Sequence, residues 1–394
     1  MEKEWKGKSM KIYTRKQKET KPVVAVCYDF DKTLSPDDMQ AQGFIQSVGY
    51  NVADFWKESN GLAEQNGMDQ NLAYMFIMMK TAHGNFIFNK KALNDYGAKV
   101  TLFPGVDNWF DRIRKYGDEK GVIVEHYIIS SGLKEMIEGT RVADEFEKIY
   151  ASSFYYDDSG VAQWPAQVVN FTNKTQFLFR IEKGVLDVND SGVNDYFAPE
   201  DVRVPFRNMI YIGDSDTDIP CMKLVNSNGG YSIGVYNSET NSKSKVYKMM
   251  HDNRIKYFAP ADYSEDTQLD KLVKTIIDRT VSNEALESMH YENKKEFAKN
   301  NDLISSEQKE KRDLIISLES SSSFAATHTI IEQLIRYDSW TDLEKEWLIN
   351  IADSNSQVWA IIKDVDVKNF YKSVLTGMKQ LSGKAEKIKG RIGN

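Results

Sequence analysis

Two aspartates directly after a hydrophobic run are the residues whose type and spacing best suit chemistry. The run VVAVCY at 23–28 is rich in β-branched residues, and Asp29 and Asp31 follow it. Where a strand ends and the chain turns, two such carboxylates can converge on one point. One can then attack phosphorus while the other moves protons, with Mg²⁺ neutralising charge. The alternative is a solvated Asx turn after a strand.

Other polar residues follow further apolar runs. The run VEHYIIS ends at Ser130 and leads into Ser131 and Gly132, whereas RNMIYIG leads into GDSDTD at 213–218. A third run, GGYSIGVY, comes later, and Lys174 stands at the start of a helical pattern, NKTQFLF. Hydroxyl and backbone N–H groups after a strand suit a phosphate oxygen, as at other helix N-termini.

Strands that alternate with helical patterns predict a parallel, doubly wound α/β sheet. Ligands bind such sheets at the carboxyl ends of the strands, where these polar residues stand. Residues 36–100 interrupt the alternation with apolar-rich helical segments and read as an insertion. The alternation closes near residue 280 with a strand, a turn and an amphipathic helix.

These residues occur in the order of four known motifs. The segments are DFDKT at 29–33, IISSG at 128–132, Lys174 in NKTQFLF and GDSDTD at 213–218. Over residues 22–280 the sequence resembles the haloacid dehalogenase-like (HAD) hydrolases. The insertion is similar to the C1 cap of that superfamily, and LFPGVDNWFDRIRKYG is similar to its phosphoserine-phosphatase branch. The resemblance does not extend to the C-terminal part.

The resemblance implies roles for the aspartates. Asp29 would be the nucleophile that forms an aspartyl-phosphate, and Asp31 the general acid and base. Mg²⁺ would be bound by Asp29, by the backbone carbonyl of Asp31 and by Asp214. Asp218 would support the metal site or hold the lysine of the third motif, and Thr33 would bond locally and shape the loop.

The resemblance also implies a phosphate-binding set. The phosphoryl oxygens would be bound by Ser130, by the backbone of Ser131 and Gly132, and by Lys174. Two positions have alternatives, because Ser131 can replace Ser130 with a shift of one residue, and Lys183 is a second candidate lysine. A lysine ammonium is a compact point charge suited to phosphate.

The motif residues also favour one class of reaction. An acid–base aspartate at position 31 is typical of the family's phosphatases and not of its dehalogenases, and a phosphomutase is an alternative. We expect a small phosphorylated metabolite as substrate. The alternatives are a phosphatase acting on a protein or nucleic-acid end, with the C-terminal part docking the partner, and a HAD-scaffold interaction protein. Asp37 or Asp38 could meet a substrate amine or could cap a helix.

Composition limits the partners and the location. The chain has 394 residues with a net charge of −7, and residues 22–280 carry −10 of it, which argues against nucleic acid as their main partner. Two cysteines cannot form a disulfide framework. The sequence contains neither a bilayer-spanning apolar run nor an apolar segment after the basic N-terminus. We therefore expect a cytoplasmic protein with no membrane partner.

The remaining segments differ in composition. Residues 1–21 hold eight Lys or Arg and three Glu, and they predict a disordered basic tail. Residues 281–320 are densely charged and predict a helical linker that ends at a serine run. Residues 321–394 predict a C-terminal α-helical domain, through which the chain could bind a protein partner or a second copy.

Two patterns support the C-terminal helical domain. Thr341 and Glu344 have the spacing of a capping box before an apolar face. Residues 367, 370, 371, 374 and 378 are apolar and form one helical stripe. The final segment, KAEKIKGRIGN, reads as a frayed basic end.

Overall fold

The structure, a computed structural model, describes residues 13–240, 242–299, 306–376, 378 and 382–393. These residues form two compact units. The first unit contains residues 13–190 and 203–285, and the second contains residues 191–202 and 286–393.

The first unit is built on a seven-stranded sheet. Its strands are β1 (Val23–Tyr28), β2 (Ile123–Leu133), β3 (Lys148–Tyr156), β4 (Ala162–Gln167), β5 (Met209–Gly213), β6 (Tyr231–Tyr236) and β7 (Tyr257–Pro260). The order across the sheet is β4-β3-β2-β1-β5-β6-β7, and every neighbouring pair is parallel except β3 and β4. The predicted parallel α/β sheet is confirmed. The strand order reverses between β1 and β5, so the carboxyl ends of β1, β2 and β5 flank a ligand-binding position.

The central strand β1 is buried on both faces. Its odd-numbered residues, from Val23 to Cys27, pack into one hydrophobic cluster. Its even-numbered residues, from Val24 to Tyr28, pack into the other. A central parallel strand is covered by helices on both sides, which explains why its sequence is a continuous apolar run.

Helices fill the connections of the first unit. They are α1 (Phe44–Ser47), α2 (Val52–Asn66), α3 (Gln70–Ala82), α4 (Lys90–Gly97), α5 (Val106–Glu119), α6 (Lys134–Gly139), α7 (Thr175–Lys183), α8 (Ile219–Ser227), α9 (Ser244–His251) and α10 (Gln268–Lys299), which ends in the second unit. Helices α1 to α4 form the predicted insertion between β1 and β2. The side chains of Asn51, Asp69 and Asn89 accept backbone N–H groups at the starts of α2, α3 and α4. Such caps define where these helices begin.

The sequence did not predict β3 and β4. They pair antiparallel, and β4 is the edge strand of the sheet. Strand β4 contains Pro165, which cannot donate a hydrogen bond to a neighbouring strand and is tolerated at an edge. Three of its six residues are exposed, with Trp164 at 71%, and only Ala162 is buried. Strand β4 therefore lacks the apolar run that reveals the central strands.

Part of the predicted N-terminal tail lies against the first unit. The N–H of Lys16 donates to the carbonyl of Gly184 at 2.9 Å, and Arg15 forms an ion pair with Asp190 at 2.7 Å. Glu19 pairs with Arg203 at 2.5 Å. The predicted disordered tail is not observed at residues 15–19, because its charges find buried partners. Residues 1–12 lie outside the described residues.

The second unit is helical. Its helices after α10 are α11 (Ser306–Glu319), α12 (Phe324–Leu334), α13 (Asp342–Ser354), α14 (Ser356–Ile361), α15 (Val365–Leu375) and α16 (Gly383–Ile392). Ile315 and Leu318 of α11 are fully buried in the core formed with the later helices. Residues 306–319, predicted as part of a charged linker, therefore contribute to this core. None of the described helices is long and apolar enough to cross a membrane.

Two predictions for this unit are confirmed and one is wrong. Thr341 and Glu344 form the capping box of α13, and the apolar stripe of α15 is buried in the core. The predicted frayed end is instead helix α16, which is capped by Ser382 and buries Ala385 and Ile388. Alanine and isoleucine at helical spacing outweigh the basic composition of this segment.

Candidate active site

Backbone contacts hold the two aspartates that follow β1. The N–H of Asp29 donates to the carbonyl of Ile212 at 3.0 Å and extends the pairing with β5. Oδ1 of Asp29 accepts the N–H of Phe30 at 2.8 Å, and Oδ1 of Asp31 accepts the N–H of Met39 at 2.8 Å. Both carboxylates are therefore oriented by the turn that ends the strand.

The end of β2 lies beside these aspartates. The hydroxyl of Ser130 is fully buried and accepts the N–H of Gly132 at 3.1 Å. A Cβ atom at Gly132 would lie 2.7 Å from Oδ2 of Asp31, which is closer than real Cβ contacts. Gly132 therefore leaves room for the Asp31 carboxylate. The hydroxyl of Ser131 is buried, and no described residue forms a hydrogen bond with it.

A buried ion pair between Lys174 and Asp218 lies next to Asp29. Nζ of Lys174, just before α7, donates to Oδ1 of Asp218 at 2.8 Å and lies 3.5 Å from Oδ1 of Asp29. The hydroxyl of Tyr211 on β5 donates to the same Asp218 oxygen at 2.9 Å. A Cβ atom at Gly213 would lie 2.5 Å from Oδ2 of Asp218, so this glycine leaves room for the carboxylate.

Carboxylates outnumber buried cations at these strand ends. Asp29, Asp214 and Asp218 are all buried, and each offers a carboxylate oxygen within 4.8 Å of the others. The ammonium of Lys174 is fully buried among them. Lys245 is 63% exposed, and its Nζ lies 3.8 Å from Oδ2 of Asp214. The site thus gathers more negative charge than its buried lysine can balance.

The excess charge raises the pKa of the aspartates. Burial and the neighbouring Asp218 raise the pKa of Asp29 to about 6, although Lys174 opposes the shift. Burial, Asp218 and Asp29 raise the pKa of Asp214 to about 8. Burial, Asp38 and Asp29 raise the pKa of Asp31 well above its ordinary value. Desolvation and like charges both disfavour the ionised carboxylate.

The same excess fits a divalent cation. Carboxylate oxygens are the ligands that Mg²⁺ prefers, and a bound cation would offset the repulsion among Asp29, Asp214 and Asp218. The resemblance implied the carboxylates of Asp29 and Asp214 together with the backbone carbonyl of Asp31. The cluster contains both of those carboxylates and adds Asp218.

The ammonium of Lys174 stays protonated among these carboxylates. Burial opposes the ammonium form, but the carboxylates of Asp218 and Asp29 outweigh burial and raise the pKa of Lys174. Lys183, the alternative lysine, lies at the other end of α7 and does not line the site. The geometry therefore favours Lys174 as the lysine of the third motif.

A cavity of about 210 Å³ opens over the aspartates. Six of the predicted site residues line it, namely Asp29, Asp31, Ser130, Ser131, Gly132 and Asp214. Lys174, Asp218 and Thr33 are buried and do not line it. The N–H of Thr33 donates to the carbonyl of Phe30 at 3.2 Å, and its hydroxyl has no hydrogen-bond partner among the described residues.

The opposite wall was not predicted from the sequence. We call it the helical wall, and its residues are Gln40, Trp56, Asn60, Gln70, Asn71 and Tyr74. They come from α2, α3 and the short helix Met39–Ala41. No local spacing identifies them, because they meet only when the insertion packs over the strand ends.

Asp38 does not act as a helix cap through its side chain. Both of its carboxylate oxygens accept Nζ of Lys32, at 2.8 and 2.9 Å. Asp37 accepts the N–H of Asp38 at 2.8 Å and does not line the cavity. The side-chain cap is thus not observed at Asp38, whereas contact of Asp38 with a substrate amine stays a prediction, since Asp38 lines the cavity.

A larger cavity of about 660 Å³ lies in the second unit. Its walls are mainly apolar and include Phe297, Leu343 and Trp347. Its carboxylates are Glu344, which binds Lys311 and Thr341, and Glu346. Among the described residues, the only buried group of converging carboxylates that could hold a metal ion is Asp29, Asp214 and Asp218, so we place the chemistry at the smaller cavity.

The sheet and the aspartate site together define a class of hydrolase. A sequence model of the haloacid dehalogenase-like hydrolases matches residues 26–223, which contain every residue of the predicted site. The chain belongs to this family.

The chain is also similar, at low sequence identity, to individual proteins. The chain is 27% identical over 280 residues to an uncharacterized protein of Borreliella burgdorferi, and the match covers 64% of this chain and 95% of that protein. A HAD family hydrolase of Salmonella enterica serovar Typhi is similar over 65% of this chain and 72% of its own, with 17% identity and a TM-score of 0.42. A phosphoserine phosphatase structure holding a phospho-aspartyl intermediate analogue is similar over 65% and 99%, with 13% identity and a TM-score of 0.38.

Proposed function

We propose that this chain is a Mg²⁺-dependent phosphomonoesterase that works through an aspartyl-phosphate on Asp29. One observation carries the proposal. The carboxylates of Asp29, Asp214 and Asp218 converge at the ends of β1 and β5, with the ammonium of Lys174 3.5 Å from Oδ1 of Asp29. Charge neutralisation and positioning are the main requirements for phosphoryl transfer.

The first half-reaction transfers the phosphoryl group to the protein. Oδ1 of Asp29 is held by the N–H of Phe30, so we assign the attack on phosphorus to Oδ2. The bond from phosphorus to the substrate oxygen breaks. Asp31 donates a proton to that oxygen, and the alcohol leaves.

The second half-reaction returns the protein to its starting state. Asp31, now ionised, takes a proton from water, and the water oxygen attacks phosphorus. The bond from phosphorus to Asp29 breaks, which releases inorganic phosphate and restores the carboxylate. Gly132 makes this relay feasible, because any side chain there would displace Asp31.

The electrostatics support this division of roles. The pKa of Asp29 is about 6, so its carboxylate is available as a nucleophile at neutral pH. Burial, Asp38 and Asp29 raise the pKa of Asp31, and a raised pKa favours the protonated form that can donate to the leaving group.

The remaining residues bind and orient. Asp29 and Asp214 would hold Mg²⁺, which when bound supplies charge neutralisation to the phosphoryl oxygens. Lys174 and the hydroxyl of Ser130 would bind those oxygens from the protein side. Asp218 positions Lys174 through the 2.8 Å ion pair.

Release of phosphate from p-nitrophenyl phosphate tests the proposal. We expect activity that depends on Mg²⁺ and falls by at least ~10³-fold in Asp29→Asn, because the nucleophile is lost. Asp216→Asn is the matched control, since Asp216 is exposed in the same set of strand-end loops. Its activity should stay within about twofold of the wild type. Equal inactivity of wild type and Asp29→Asn across a broad panel of phosphomonoesters would contradict the proposal.

A small phosphorylated substrate is part of this proposal. The cavity of about 210 Å³ and its helical wall support it over a macromolecular end. Docking of a protein partner or a second copy through the C-terminal helical unit stays a prediction.

A further inference from the structure

The larger cavity lies between three helices of the second unit, and we call it the second-unit cavity. Phe297 of α10, Ile315 of α11 and Trp347 of α13 contribute to its apolar walls. Its volume of about 660 Å³ falls within the range of about 300–1,000 Å³ that is typical of pockets for small molecules. The family model ends at residue 223, so membership of the hydrolase family does not account for this cavity.

Two apolar side chains at the second-unit cavity are exposed to solvent. Leu343 is 76% exposed and Phe297 is 55% exposed, and both line the cavity. Large apolar side chains that are exposed at one concave surface indicate a binding site, because an apolar ligand would remove their surface from water. A ligand that fits this cavity therefore has an apolar body.

One guanidinium lies among these apolar side chains. Arg312 of α11 lines the cavity, and its Cζ lies 3.6 Å from the centre of the Phe297 ring. The ring covers one face of the cation and attracts it through its negative face. Nε of Arg312 is buried, and no described residue forms a hydrogen bond with it. The protein therefore does not satisfy all the donors of this guanidinium.

The charge of Arg312 also lacks a close counterion among the described residues. Burial lowers the pKa of its guanidinium, and the exposed Asp313 next to it opposes this shift without reversing it. Arg203 shows the opposite case, because its contacts with Glu125 and Glu19 raise the pKa of its guanidinium in spite of burial. A ligand carboxylate would give Arg312 the partner that Arg203 has within the chain.

The carboxylates at the second-unit cavity do not take this place. Glu344 accepts Nζ of Lys311 at 3.0 Å and the N–H of Thr341 at 2.7 Å. Glu346 is exposed to solvent. Among the described residues that line the cavity, Arg312 is the one cation. The charge that a ligand meets within the apolar walls is therefore positive.

We propose that the second-unit cavity binds a small amphiphilic carboxylate, with its carboxylate on the guanidinium of Arg312 and its hydrocarbon body against Leu343 and Trp347. The apolar walls, the exposed side chains and the guanidinium without a counterion carry the proposal. The site is independent of the phosphomonoesterase function proposed above, since binding is measured without a phosphate ester.

Three ligands with one hydrocarbon chain and different head groups test the proposal. Isothermal titration calorimetry of the full chain compares octanoate, 1-octanol and octylammonium. We expect the Kd for octanoate to be at least about tenfold lower than that for 1-octanol, because a charge-assisted hydrogen bond to the guanidinium is stronger than a neutral one. Octylammonium should bind most weakly. Binding of 1-octanol or octylammonium as tight as that of octanoate would overturn the proposal, as would a lack of binding by all three.

Substitution of the arginine assigns the charge preference to one residue. Arg312→Gln keeps a polar side chain and removes the charge, so the Kd for octanoate should rise about tenfold. The Kd for 1-octanol should stay within about twofold, which also shows that the cavity is intact. Arg336→Gln is the matched control, because Arg336 is exposed and does not line the cavity, and it should change neither Kd. An unchanged Kd for octanoate in Arg312→Gln would overturn the proposal.

A leucine variant locates the hydrocarbon chain. Leu343→Ala removes an exposed side chain from the cavity, so it should raise the Kd values for octanoate and 1-octanol by a similar factor of about three. Leu286→Ala is the matched control, since Leu286 is 65% exposed and does not line the cavity. Unchanged Kd values in Leu343→Ala would place the octyl chain elsewhere on the protein and contradict the proposed site.

Discussion

Buried carboxylates lie at both ends of the central strands. At the amino end, Glu125 of β2 accepts hydrogen bonds from Arg203 at 2.6 and 2.8 Å and from Lys16 at 2.5 Å. The hydroxyl of Tyr127 adds a fourth donor at 2.5 Å. At the carboxyl end, the nearest cation to Asp214 is the exposed Lys245, at 3.8 Å.

The two ends shift pKa values in opposite directions. Burial alone would raise the pKa of Glu125, but its hydrogen bonds from Arg203, Lys16 and Tyr127 outweigh burial and lower it to about 2. Burial and neighbouring aspartates raise the pKa of Asp214 to about 8. The buried carboxyl group of Glu125 at the amino end is thus ionised, whereas that of Asp214 at the carboxyl end resists ionisation.

The difference separates a structural network from a reactive one. At the amino end, donors from three parts of the chain satisfy the buried charge and fix the position of the N-terminal segment. At the carboxyl end, the chain leaves negative charge without a partner, which favours binding of a cation and a phosphoryl group. Strongly perturbed acids in a cleft are typical of functional sites.

Substitution of one acid at each end should produce opposite phenotypes. We expect Asp31→Asn to lower kcat for p-nitrophenyl phosphate by ~10²–10⁴-fold, because the proton donor is lost. Asparagine retains the oxygen that accepts the N–H of Met39, so the free energy of unfolding should not fall. Steady-state kinetics and hydrogen exchange of β1 and β2 peptides measure the two quantities.

Glu125→Gln is the matched substitution at the amino end. We expect it to lower the free energy of opening of β2 by about 3 kcal/mol, because Arg203 loses its buried charge partner. Its kcat should stay within about twofold of the wild type. A loss of kcat as large as that of Asp31→Asn would show that the two ends are not separable.

The two ends should also respond oppositely to pH. The pKa of Asp214 rises from 3.8 to about 8 on folding, so its contribution to stability is lost as pH increases between those values. The pKa of Glu125 falls from 4.5 to about 2, so its contribution is present above 4.5 and lost as pH decreases towards 2. Each unit of pKa difference corresponds to about 1.4 kcal/mol.

Pulsed hydrogen exchange across a urea series, with β1 and β2 peptides as reporters, measures this dependence. In chelator we expect the wild type to lose stability from pH 4 to about 8. Asp214→Asn should flatten that loss. Saturating Mg²⁺ should restore the wild type at pH 8 by mass action and leave Asp214→Asn unchanged. An identical pH dependence for both proteins in chelator would contradict the assignment of unbalanced charge to Asp214.

The sequence predicted the residues at the carboxyl ends of the strands better than those at the amino ends. Asp29 and Asp214 each directly follow an apolar strand, and Ser130 ends an apolar run within β2, so local order reveals them. Glu125 and Arg203 meet only through tertiary packing, and their spacing of 78 residues carries no signal. The same reason applies to Trp56 in the helical wall.

Local composition was also misleading in two places. The basic residues of α16 suggested a frayed end, although its apolar residues have helical spacing. Strand β4 was missed because an edge strand with a proline and exposed side chains lacks a buried face.

Two tyrosines allow the two strand ends to be compared at the level of one hydrogen bond, because the hydroxyl of each donates to a buried carboxylate. The hydroxyl of Tyr211 donates to Asp218 at 2.9 Å, on the oxygen that also holds Lys174. We expect Tyr211→Phe to lower kcat/KM for p-nitrophenyl phosphate by about three- to tenfold, because one hydrogen bond that positions Lys174 is lost.

Tyr127→Phe makes the same chemical change at the amino end, where the hydroxyl donates to Glu125 at 2.5 Å. It should lower the free energy of opening of β2 by about 1 kcal/mol and leave kcat/KM unchanged. Because the two variants remove the same group from adjacent regions of one sheet, a difference in activity between them reflects the carboxylate each hydroxyl serves. Equal loss of activity in both would mean that the site depends on the rigidity of the whole sheet, and Asp218 would lose its assigned role in positioning Lys174.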